Sequence, residues 1–133
     1  MLGFARRAGR TALTTCAHRG PLRVQKALYP EGPEVCQAIV LHPPGGIVGG
    51  DTLDIEVVGA AGAHGLLTTP GAGKWYRSGG RQASQCLRVE VAFGAIVEWL
   101  PQETIVFDGA EAQMLTRVDL AAGAVYCGWE ILC

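Results

Sequence analysis

Acidic residues are missing before Glu31, although Arg6, Arg7, Arg10, Arg19, Arg23 and Lys26 all precede it. Charge is scarce throughout: only 17% of residues are Asp, Glu, Lys or Arg, where about a quarter is usual, and the formal net charge is −1. That balance leaves no electrostatic footprint for nucleic acid. No apolar run approaches the roughly 18 residues of a membrane-spanning helix. Cys-x-x-Cys pairs are absent too. The five cysteines, Cys16, Cys36, Cys86, Cys127 and Cys133, are an odd number at spacings that fit neither a zinc site nor a disulfide framework. They read as buried, reduced thiols of a cytoplasmic protein. Ser78 and Ser84 lack the G-x-S-x-G elbow. His18, His42 and His64 lack a helical partner four residues away. No enzyme of known type is written here.

Helical periodicity is lacking as well, and period-two alternation stands in its place. In "TLDIEVVG", Leu53, Ile55 and Val57 oppose Asp54 and Glu56. "CLRVEVAFG" and "QMLTRVDL" repeat the pattern, which predicts half-buried strands. "CQAIVLH", "AIVEWL" and "AVYCGWEIL" read as strands buried on both faces. Gly-Ala pairs recur at 62–63, 94–95 and 123–124, spacings of 32 and 29 residues, each between two strand patterns. A unit of that size predicts stacked hairpins or solenoid-like layers. The expected fold is all-β, made of stacked antiparallel strands with little or no helix. Residues 1–10 are expected to be a basic frayed tail rather than a removable leader.

The stretch "HPPGGIVGGDTL" approximates a phosphate-binding loop, except that Asp51 stands where the lysine belongs. A carboxylate there repels the anion, so the glycines are expected to shape a turn. Other acids sit among apolar residues: Glu98, Glu103 and Asp108 within "EWLPQETIVFDG", and Glu130 in "GWEIL". Desolvated carboxylates need a hydrogen bond, a cation partner or a metal. Singly, each could cap a turn or pair with a cation. As a group they could line a wet passage for a divalent ion, since oxygen donors with an occasional imidazole bind such ions weakly. "LLTTPGAGKWYRS" adds Lys74, Trp75, Tyr76 and Arg77, which have too few cations for nucleic acid and suit a protein interface.

Five blocks, "GPLRVQKALYPEG", "LHPPGGIVGGDTLDIEV", "GAHGLLTTPGAGKWYRS", "LPQETIVFDGA" and "GWEI", resemble in order the urease accessory protein D family. The likeness runs from about Thr11 to Cys133, and family members continue for roughly as many residues again. The resemblance therefore implies that residues 11–133 are the N-terminal part of a longer β domain, truncated at its C-terminus. It further implies a non-enzymatic maturation factor, bound to UreF and through it to UreG, that helps pass Ni(II) to apo-urease without holding a tightly bound cofactor. Carried over by motif, the site residues are His42, Gly45, Gly46, Gly49, Gly50, Asp51, Thr68, Thr69, Pro70, Gln102, Glu103, Asp108, Trp129 and Glu130. The acids Asp51, Glu98, Glu103, Asp108 and Glu130 are the expected transient nickel ligands. Alternatives are an interaction module without a metal path, an inactive fragment, or a β-sandwich hydrolase using His42 or His64 with an acid.

Overall fold

The computed structural model describes all 133 residues, and every regular element in it is a strand. They are β1 (Leu2–Arg7), β2 (Arg10–Cys16), β3 (Arg23–Val24), β4 (Val35–Leu41), β5 (Thr52–Gly59), β6 (His64–Thr68), β7 (Gly73–Trp75), β8 (Ala83–Val91), β9 (Ile96–Trp99), β10 (Thr104–Val106), β11 (Ala112–Leu120) and β12 (Val125–Gly128). They form two five-stranded sheets, ordered β11-β8-β5-β1-β2 and β12-β9-β6-β4-β3, and a two-stranded third sheet, β10-β7.

Chain order explains the layering. β5, β6 and β7 lie in the first, second and third sheets in turn, and β8, β9 and β10 repeat the circuit. β11 and β12 begin a third circuit, in which Leu132 bridges to Thr104 on the third sheet. Each circuit is thus one coil of a three-sided β-solenoid. The predicted all-β, solenoid-like stacking is what the chain adopts. The predicted antiparallel pairing is corrected: seven of the nine ladders are parallel, and only β1–β2 and β3–β4 are antiparallel. A strand that returns to the same side after a full circuit must run in the same direction as its predecessor.

The Gly-Ala repeat marks the coil corners. In Ala60–Ala63, Ala92–Ala95 and Ala121–Ala124 the last N–H donates to the first carbonyl, at 3.0, 3.0 and 3.1 Å. The third residue of each turn, Gly62, Gly94 and Gly123, has φ of 67°, 65° and 67°, a conformation that costs glycine nothing. These turns do not close hairpins. They carry the chain from the first sheet to the second. The spacings of 32 and 29 residues are the ladder offsets themselves, as in Ile55 opposite Leu87 and Val89 opposite Val118.

The first and second sheets enclose the main core, in which Phe4, Val57, Leu67, Leu87, Val89 and Val97 are fully buried. Each such side chain contributes about 1.5–3 kcal/mol on leaving water. Three expectations about burial fail. The tail at 1–10 is not frayed, because Leu2 and Phe4 alternate inward on β1 and a two-residue turn at Ala8–Gly9 folds it against β2. Of the strands expected to be buried on both sides, β4 and β9 bury one face and half-bury the other, and β12 is largely exposed because no strand covers its far side. All five cysteines are free, but only Cys36 is buried.

Candidate functional site

The axial interior holds a cavity of about 230 Å³ on the side of the third sheet. Trp75, Trp99, Val40, Leu53 and Ile55 supply its apolar walls. The connections between the second and third sheets, stacked coil upon coil, supply its polar ones. His42, Gly45 and Gly46 come from the loop after β4; Thr69 and Pro70 from the next coil; Gln102 from the coil after that; and Glu130 from the last. The parallel register brings these motifs together although they are far apart in sequence. Thr69 shows the stitching directly: its hydroxyl donates to the Gly71 carbonyl at 3.2 Å and accepts from the Gln102 N–H at 3.0 Å.

Glu130 lines this cavity from the last coil and is exposed to solvent, with Oε1 accepting from the Trp99 indole N–H at 3.2 Å. Withdrawal from water against the indole raises its carboxyl pKa above the ordinary range, and the indole hydrogen bond lowers it by less. Burial raises the neighbouring Tyr126 hydroxyl too, with the Glu130 charge adding to it. The adjacent Trp129 donates its indole N–H to the Pro101 carbonyl at 2.9 Å, fixing the last coil on the previous one.

The other four acids lie elsewhere. Asp51 staples its own turn: its carboxylate accepts from the Val48 N–H at 3.0 Å, and its own N–H donates to the Val48 carbonyl. Glu98 does share a face with Ile96 and Leu100, but that face points away from the core, because Val97 and Trp99 turn inward. Its Oε1 meets His64 Nε2 at 2.5 Å across the β6–β9 ladder. Asp108 pairs with Arg77 at 3.3 Å in full solvent. Glu103 offers its backbone carbonyl to Gly73, with no ion pair at its side chain. The five carboxylates thus do not converge, and no three His, Cys, Asp or Glu side chains come close enough to hold a metal together. What the cavity gathers is one carboxylate, one imidazole, carboxamides and hydroxyls, with Lys74 on its lining as the one side-chain cation; the oxygen and imidazole donors suit weak, reversible contact with a hard or borderline cation.

The loop glycines and Thr68 set how the walls pack. Gly49 is buried where an added Cβ would overlap the Ser78 carbonyl and lie 2.7 Å from that of Arg81; Gly46 packs under the Tyr76 ring. These glycines, with Gly50 beside them, let one coil's loop lie against the next. Thr68 donates its hydroxyl to the Leu100 carbonyl at 2.7 Å. Of the expected interface residues, Trp75 is core, whereas Lys74, Tyr76 and Arg77 are exposed, with Tyr76 stacked on Phe107 at 5.1 Å between centroids. Sequence reasoning missed Gln85 and Thr104 as lining residues. Only the ladder offsets could have found them, by aligning the coils. The His64–Glu98 dyad pairs on the outer face of the second sheet, and the Thr11 hydroxyl accepts from the His64 main-chain N–H at 3.1 Å.

A family model described as "UreD urease accessory protein" matches residues 1–133. Proteins described as "Urease accessory protein UreD" from Dechloromonas aromatica, Azoarcus sp. and Methylobacillus flagellatus are 67%, 61% and 55% identical to the chain. Each alignment covers 99% of this chain and 46% of the relative, so the chain spans about half the length of the curated relatives it matches. Motifs and these similarities agree: the chain belongs to the UreD urease accessory protein family.

Proposed function

We propose that this chain serves urease maturation by giving Ni(II) a sheltered, weakly binding passage along the solenoid axis toward apo-urease. The carrying observation is the axial cavity, which collects the family-like motif residues His42, Thr69, Gln102 and Glu130 from successive coils. Nickel here is cargo. A carboxylate, an imidazole and amide oxygens can each hold it briefly, and none holds it tightly enough to keep it. The role needs no covalent chemistry from the protein. Family membership supports a non-enzymatic accessory acting in the cytoplasm with UreF, with UreG through UreF, and with the urease apoprotein.

Of the expected ligands, Glu130 is the one the cavity argument favours; Asp51, Glu98, Glu103 and Asp108 are candidates only for contacts outside it. The test is co-expression of the urease genes with the full-length protein carrying Glu130→Gln or His42→Ala, measuring nickel per urease subunit by elemental analysis. Lower nickel loading with undiminished co-purification of the partners is the expected result. Normal loading by both variants would overturn the passage and leave an interaction module.

A further inference from the structure

Trp99, the last residue of β9, is buried in the core at 3% exposure, and it also walls the axial cavity. Its indole places a rigid N–H donor there. A buried donor costs free energy when unpaired, so it demands an acceptor. That acceptor is Glu130 Oε1 at 3.2 Å, 31 residues along the chain. The parallel register makes the contact. Gly128 lies opposite Trp99 on the β9–β12 ladder, which brings the residues just after β12 to the indole.

Two further bonds hold the same segment. The Trp129 N–H donates to the Trp99 carbonyl at 3.3 Å, and the Trp129 indole donates to the Pro101 carbonyl at 2.9 Å. The backbone leading into Glu130 is therefore anchored, and its side chain is tied at the far end. Glu130 is also the one carboxylate on the cavity lining. Its other oxygen, Oε2, accepts no hydrogen bond from the protein, and the carboxylate forms no ion pair. A free glutamate side chain spreads over many rotamers, and any ligand must overcome the entropy of ordering it. Here the indole orders it in advance, holding one oxygen and leaving the other open.

We propose that Trp99 is a positioning residue of the passage: its indole N–H presents Glu130 to the cargo cation with one oxygen free. The inference rests on the passage reading above and adds the group that sets how its carboxylate is presented. A partner that fixes a ligand without touching the metal changes affinity by about 10–100-fold when removed. The indole suits this task because it is a neutral donor. It orients the carboxylate without cancelling its charge, whereas a lysine or arginine there would neutralise what attracts the cation.

The test titrates Ni(II) alone into the full chain by isothermal calorimetry, for wild type, Trp99→Phe, Glu130→Ala and the double variant. Phenylalanine keeps an aromatic ring and removes the N–H. Trp99→Phe is expected to weaken binding about tenfold when Glu130 is present, and by less than about twofold when it is alanine. Equal losses in both backgrounds would show that Trp99 only packs, and no loss in either would show that it positions nothing; each result overturns the proposal. Binding unchanged by Glu130→Ala overturns the passage reading itself, and the proposal with it. Should Trp99→Phe fail to fold by circular dichroism, or Glu130→Ala leave no measurable binding, the indole N–H signals in heteronuclear NMR decide. The Trp99 signal should shift in Glu130→Ala, and in wild type Ni(II) should broaden it ahead of those of Trp75 and Trp129. An unshifted signal, or broadening that does not favour Trp99, would overturn the proposal.

Discussion

Glu130 is the residue whose environment makes the sharpest demand. Its carboxyl is raised by desolvation in the folded chain, so folding favours the protonated form. The stability this contributes is fully present below the ordinary carboxylate range and is lost as pH rises through the raised value. Calorimetric melting of wild type and Glu130→Gln should therefore diverge from acid toward neutral pH, with the glutamine variant the more stable at neutrality; parallel curves would refute the desolvation. Gly49 makes a steric demand instead. Gly49→Ala forces a methyl group into the Ser78 and Arg81 carbonyls and should cost about 1–3 kcal/mol in urea denaturation. At this scale the sequence was only partly legible. The apolar company of Glu130 was visible, but that of Glu98 was misleading, because alternation shows which residues share a face and not which way the face points.

Strands were legible where alternation ran long, as in β5, β8 and β11, and the Gly-Ala spacing anticipated the register of their ladders. Direction was not legible. Period-two patterning is the same in parallel and antiparallel strands, and a four-residue turn does not reveal whether the next strand returns alongside or crosses to another sheet. β1 was hidden by arginines, although Leu2 and Phe4 alternate with Gly3 and Ala5. The offsets also show where the coils differ in length: Ile47 bridges Trp75 at 28 residues, but Leu53 meets Gln85 at 32. The surplus sits in the corner between β7 and β8, where Gly79 and Gly80 face open space at φ of 59° and 82°. Inserting two further glycines there should shift the melting temperature little, since doubling a loop costs only about 0.6 kcal/mol. One residue inserted after Val89 would instead turn the rest of β8 inside out and should abolish cooperative unfolding.

Viewed whole, the molecule buries its first coils well and its last coil poorly. β11 and β12 have neighbours on one side only, and Leu115, Leu120, Val125, Ile131 and Leu132 are exposed there. Open strand edges of this kind associate. Light scattering of the isolated chain should rise with concentration, and Leu115→Lys with Val125→Lys should suppress the rise; an unchanged signal would show that this end is not sticky. The sequence hinted at it through the apolar run "YCGWEIL", but alternation alone does not show which strands lack a neighbour. In a stack where each layer touches only its neighbours, thermal opening is a zipper rather than a single collapse. Thr69 is tied to the next coil through the Gln102 N–H, and Ile47 of the preceding coil bridges Trp75, so the cavity wall there opens only as neighbouring layers part. A wall that takes one residue from each layer thus changes width whenever two layers slip, so its shape reports the breathing of the stack.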